Sequence, residues 1–321
     1  MNDLLQTTLD GLLDGSAYAL VGLGLALSFG TLRRLNLAYG AGAMLAAYVG
    51  AWLHHKHHMP VAVVAVAVVA TAVMIGLYVE RLCFADAAGA SRAAPDASAA
   101  PDTSAAGAGA LPVAGHDGRE VVALASTFAV WMQLEQLAVN LLPRHLNPFP
   151  TLAASGQWSN WDVAGLVVRP DRVALAALAV ALTLALVAWL RGTRGGLAWR
   201  ATADRRVAAH LVGIPVASVQ RLGFAAACAL SGVAAFAVLT IDGQVTPMFG
   251  MWVLVKGLVA VMLGGLASIG GVLVGGWVLG LVEAHAQNLF GALGREFGTW
   301  ALLLVVLIRR GGLTQRLGRV A

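Results

Sequence analysis

Uninterrupted apolar runs constrain this chain more than any other feature. Residues 60–79 read PVAVVAVAVVATAVMIGLYV without one charged side chain. In hydrocarbon such a stretch has to satisfy its backbone N–H and C=O groups internally, which a helix of about 20 residues does. Comparable runs cover residues 9–30, 121–142, 172–190 and 222–241. Two shorter ones lie at 38–53 and 251–263, a Gly-rich run after Gly270 ends near Glu283, and residues 297–308 complete the set. With 59% hydrophobic and only 12% charged residues, the chain is far too apolar for a soluble domain of 321 residues. The expected fold is all-α: one polytopic transmembrane helical bundle over 1–321. Nine spans are expected, two of them short, or eight if one segment is re-entrant, and the short second segment at 38–53 is expected to be a broken or tilted helix.

Charge placement orients this bundle. Asp3 lies before the first run and Asp10 at its very start, and the basic pair Arg33 and Arg34 follows it. Basic residues next to span ends stay cytoplasmic, so the N-terminus is expected outside. No cleavable leader is expected either, because acids rather than bases stand before and at the start of the first run. The loop 191–221 carries Arg191, Arg194, Arg200, Arg205, Arg206 and Arg221 against the single acid Asp204, a surplus equal to the +5 of the whole chain. Arginines clustered beside spans express topology rather than nucleic-acid binding. In the same loop Ala201, Val207, Ala208, Leu211 and Val212 recur at helical spacing until Gly213 stops the pattern. An amphipathic helix on the cytoplasmic face is a surface for a partner. The C-terminal RRGGL run with Arg316 and Arg319 is expected as a cytoplasmic basic tail. Residues 86–118, rich in Ala, Gly, Pro, Ser and Asp, are expected to be a flexible low-complexity insertion.

Polar groups within the apolar runs are costly there and therefore candidates for function. Glu135 stands out, beside Gln133, Gln136 and Asn140; its structural alternative is a helix contact near the end of a span. Gly264, Gly265, Ser268 and Gly270 interrupt an already short segment, and short Gly-broken segments in transporters expose backbone groups to a substrate path. Gly271 with Gly275 and Gly276 with Gly280 stand four apart, a spacing for close helix packing. Glu283, His285, Gln287 and Asn288 are expected to be solvated near the outer end of that helix. The cluster His54, His55, His57 and His58 invites a metal reading, but four histidines without acid or Cys partners are preferred as an interfacial loop ended by Pro60. Cys83 and Cys228 suggest neither a disulfide framework nor a metal site. A phosphate-cradling GxxxxGK[ST] run, HExxH, GxSxG and CxxC are all missing from the sequence. No cofactor is expected, the chain is expected not to be an enzyme, and energy for transport has to come from a partner.

Three segments resemble one family in order and spacing. RATADRRVAAHLVGIPVASVQRLGF is similar to the cytoplasmic coupling loop of branched-chain amino acid permeases of bacterial ABC importers. LRRLNLAYGAGAMLAAYVGAWL resembles the family's signature after the first span, with Tyr39 in place of the usual His. GQVTPMFGMWVLVKGLVAVMLGGLASIGGVLVGGWVLGLVEA resembles its Gly-rich final third, with Lys256, Gly264, Gly265, Ser268, Ile269 and Glu283 in the family's places and Gly270 where Pro is frequent. The resemblance implies a permease domain with 191–221 as coupling loop, where Arg200, Ala201, Asp204, Ala208, Leu211, Gly213 and Ile214 meet an ATPase. It implies a path past Asn36, Tyr39, Gly40, Glu135, Gly264, Gly265, Ser268 and Gly270. The implied partners are two ABC ATPases, a related second permease and an extracytoplasmic binding protein, in the lipid of a bacterial inner membrane. The implied solutes are Leu, Ile and Val. Alternatives are urea, short amides or another amino acid through the same machinery, a stand-alone carrier or channel, and a scaffold protein.

Overall fold

The computed structural model describes residues 2–32, 36–83, 116–141, 148–151, 161–163, 166–265 and 268–317. Eleven helices occur among them: α1 (Asn2–Leu32), α2 (Ala38–His57), α3 (Val61–Cys83), α4 (His116–Leu141), α5 (Pro170–Gly192), α6 (Arg194–Asp204), α7 (Arg206–Leu211), α8 (Val216–Asp242), α9 (Phe249–Gly264), α10 (Ile269–Phe290) and α11 (Ala292–Leu317). Six of them (α1, α3, α4, α5, α8 and α10) are long and apolar enough to cross a membrane by length and composition, and α9 is a shorter apolar helix. The nine apolar runs correspond to all the helices except α6 and α7. One small ribbon, β1 (Trp161–Val163) and β2 (Leu166–Val168), pairs antiparallel with Asp162 opposite Val167. It is tied to the start of α1 by the Gln6 amide, which donates to the Val167 carbonyl at 3.0 Å and accepts from the Val167 N–H at 3.1 Å.

Helix α2 is enclosed. Its AYGAGAMLAAYVGA run is buried on nearly every face among α3, α4, α8 and α9, because small side chains let neighbouring backbones close in from all sides. Gly40 faces Gly250 of α9 with no space for a Cβ, and a Cβ at Gly50 would meet Val68 of α3 and Phe149. The expectation of a broken second segment is corrected: α2 is continuous for 20 residues, and His54–His57 form its last turn instead of a loop. His58, at φ 49°, ends it. Helix α3 shows the outer-layer pattern. Val64, Val68, Ala72, Gly76 and Val79 turn inward, while Val63, Val66, Met74 and Tyr78 are exposed, a stripe at helical spacing against a lipid-facing remainder.

Helix α1 runs through the interior, packed on α10, α8, α9 and α5. The two glycine pairs of α10 face different neighbours. Gly276 lies against Ala19, and Gly280 against Gly11 and Gly15, all on α1; Gly271 and Gly275 meet Gly264 and Ala260 of α9. The interruption after Gly264 is a tight reversal between α9 and α10, in which Gly265 takes φ 85° and the Ser268 hydroxyl caps α10 by accepting the Gly271 N–H at 3.1 Å. Helix α9 begins only at Phe249. Before it, Gln244 bridges to Pro148, beside the Phe149 N–H bond to the Gly243 carbonyl.

Several boundaries move. Residues 116–118, assigned to the insertion, open α4, and the rest of that insertion from 86 to 115 lies outside the described residues. Residues 216–221 belong to α8, and α11 continues to Leu317 through the expected basic tail.

Candidate functional site

At one end of the bundle, the α6–α7 end, the Arg-rich loop folds as two helices rather than the single one expected. Thr193 caps α6 by accepting the Gly196 N–H at 3.0 Å, and Arg205, in extended conformation, separates α6 from α7. Trp199 is the anchor. Its ring fills the space a Cβ would need at Gly30 of α1 and at Gly223 of α8, and its indole N–H donates to the Thr31 hydroxyl at 3.2 Å. Arg206 adds a bond to the Thr31 carbonyl at 3.0 Å.

Helix α7 presents bare aliphatic side chains: Val207, Leu211 and Val212 are 77%, 82% and 79% exposed. Its end is fixed by Gly213 at φ 82°, with the Ile214 N–H bonding the Ala209 carbonyl and the Gly213 N–H the His210 carbonyl. This is a glycine stop that only a residue without a Cβ adopts cheaply. Of the residues expected to couple, Ala201, Ala208, Leu211 and Gly213 are exposed, and Ile214 is half-buried. Arg200 and Asp204 are exposed too, and they line a crevice of about 960 Å³ between α6, the ends of α1 and α5, and Ser268 to Gly270. Val207 and Val212, part of the helical repeat but not of the expected contact set, complete the exposed apolar face.

The residues expected along a path do not converge. Asn36 and Tyr39 border a void of about 10 Å³, and Gly40 is in the Gly250 contact. Glu135 sits half-buried on the outer helix α4, accepting the Trp131 indole N–H at 2.8 Å. Gly264 and Gly265 form the reversal, and Ser268 and Gly270 border the crevice at the α6–α7 end.

The opposite end, where α1 begins, holds a charged network that sequence reasoning missed. Glu283 is not solvated: it and Lys256 are each 2% exposed and form an ion pair. The Glu283 carboxylate also accepts from the Thr299 hydroxyl and from the Tyr18 hydroxyl at 2.5 Å, with the Arg295 Nε at 3.5 Å. Lys256 donates to Thr299 at 2.6 Å and lies over the Tyr18 ring at 5.2 Å. Arg295 donates to the Tyr18 hydroxyl at 2.8 Å. Four helices, α1, α9, α10 and α11, meet through these five side chains. The signal was available: Lys256 is a lone cation in an apolar run, and such a group needs a carboxylate partner. Gln287 and Asn288 are exposed as expected, and His285 is half-buried.

Six helices long and apolar enough to cross a membrane, around an enclosed small-residue core, define a multi-pass membrane protein. The chain belongs to the family described as branched-chain amino acid transport system, permease component, which it matches over residues 7–86 and 104–308. It is 26% identical to the high-affinity branched-chain amino acid transport system permease protein BraD of Pseudomonas aeruginosa, over 95% of this chain and 94% of that protein. It is 27% identical to the permease proteins LivH of Salmonella typhimurium and Escherichia coli K12, over 95% of this chain and 92% of each.

Proposed function

We propose that this chain is the membrane-spanning subunit of an ATP-driven importer of branched-chain amino acids. It works in a bacterial inner membrane with two ATPases, a related second permease and an extracytoplasmic binding protein. The observation that carries the reading is the match to permeases of that transport system along nearly the whole chain. Helix α7 supplies the mechanical part: Val207, Leu211 and Val212 enter an apolar groove on an ATPase. Trp199 and Arg206 pass the displacement to Thr31 at the end of α1, and α1 carries it to α10 through the Gly276 and Gly280 contacts. A ligand or nucleotide shifts such an element only by binding its two states differently. The N-terminus lies outside and α7 in the cytoplasm.

The test is purification of the tagged chain from its native membrane in mild detergent. Recovery of two ATPases and a related permease, together with leucine uptake by the reconstituted set, is expected. Recovery of the chain alone, under conditions that keep a reference importer assembled, would replace this reading with a stand-alone carrier.

A further inference from the structure

Two adjoining cavities open at the end where α1 begins, of about 210 Å³ and about 420 Å³. They share Asp14, Tyr18, Arg172 and Arg295 as their common wall. The smaller is amphiphilic: Leu175, Val238, Ile241 and Trp252 form its apolar side, and Asp242 and Glu296 add carboxylates. A cavity of about 150 Å³ accommodates benzene, so this one has the scale of a single small amino acid.

The charges have spare capacity. Arg172 reaches Asp14 at 3.2 Å and Asp10 at 3.8 Å through one terminal nitrogen, while its buried Nε has no hydrogen-bond partner. The Nε is shielded from the cavity, so a second carboxylate enters the Nε–Nη2 fork, opposite the Nη1 already in use, only with a small rotation of the side chain. With Glu283 paired to Lys256, the remaining carboxylates, Asp10, Asp14, Asp242 and Glu296, outnumber the guanidiniums Arg172 and Arg295. That surplus suits an added ammonium. One zwitterion with an aliphatic tail meets all three demands together.

We propose that this double cavity is a transit subsite for aliphatic α-amino acids, in which Arg172 takes the carboxylate, Asp14 the ammonium, and Leu175, Val238, Ile241 and Trp252 the side chain. The subsite rests on the proposed solute class. Its walls come from α1, α5, α8, α9, α10 and α11, so any rearrangement of these helices opens or collapses it. The Glu283 network forms its floor through Tyr18 and Arg295, and holds those two groups in place.

The complex with its partner subunits, in lipid nanodiscs without binding protein, is illuminated with a diazirine analogue of leucine, and labelled peptides are mapped. Labelling is expected around Leu13 to Tyr18 and around Leu175. Excess leucine should compete, but neither 4-methylpentanoate nor 3-methylbutylamine should, since each lacks one of the two charges. Arg172→Gln and Asp14→Asn should each reduce labelling at least tenfold. If either variant fails to assemble, Leu175→Trp, which fills the apolar side and keeps both ion pairs, should abolish labelling. Labelling elsewhere, or labelling indifferent to these substitutions while wild type imports leucine, overturns the subsite alone. Failure of the wild-type importer to move leucine overturns the solute reading and the subsite with it.

Discussion

Lys256 and Glu283 show what a buried pair demands of its surroundings. Each charge has lost its water, and their attraction offsets that loss only because Thr299, Tyr18 and Arg295 fill the remaining hydrogen-bonding positions. Removing one partner strands the other. Glu283→Gln is therefore expected to destabilise the detergent-solubilised protein by about 3–5 kcal/mol, seen as early loss of the monodisperse peak after heating. Lys256→Met should act similarly. Combining Lys256→Met with Glu283→Gln should recover part of the loss, because no uncompensated charge is left between the two positions, and a strictly additive loss would show that the two groups do not act as a pair. Glycines carry the other constraint at this scale. A Cβ at Gly276 would meet the Ala19 backbone at 2.5 Å, so Gly276→Leu is expected to separate α1 from α10 and abolish uptake with little change in membrane insertion.

At the scale of elements, α6 and α7 divide the work between anchoring and display. Helix α6 is held by Trp199, and α7 leaves its aliphatic side chains in water, a standing cost that a docking partner removes. Leu211→Asp is expected to remove ATPase subunits from the purified complex while the chain still inserts, and retained ATPases would refute the docking role of α7. Trp199→Ala should differ in kind: ATPases stay bound, since the α7 face is intact, but uptake falls because only the Arg206 bond then links this loop to Thr31. Measuring co-purification and uptake on the same samples separates the two. The proposed insertion calls for a different test. The family match breaks between 86 and 104, so replacing 87–103 with a short Gly/Ser connection is expected to leave uptake within about twofold.

The whole molecule was legible where period and hydropathy were decisive. Apolar runs located nine of the helices, Gly213 gave the end of α7, and the four-residue glycine spacing announced the α10 contacts. What could not be read was which distant side chains meet. Tyr18 and Glu283 are 265 positions apart, and nothing local in either helix names the other. Glu135, polar in an apolar run, drew attention to an outer helix that satisfies it with its own Trp131. The α2 boundary failed for a simpler reason: the histidines look like a loop by hydropathy, but nothing there stops a helix before His58. The arrangement proposed across the membrane rests on the placement of basic residues, and it can be measured. With Cys83→Ser and Cys228→Ala as background, Leu4→Cys and Leu211→Cys place single thiols at 60% and 82% exposed positions at opposite ends of the bundle. A membrane-impermeant maleimide is expected to label Leu4→Cys in intact spheroplasts and Leu211→Cys only in inside-out vesicles. The reverse pattern would put α7 beyond the reach of any ATPase and the double cavity in the cytoplasm. Proposed docking and proposed solute entry would then fail together, because both depend on one orientation of α1.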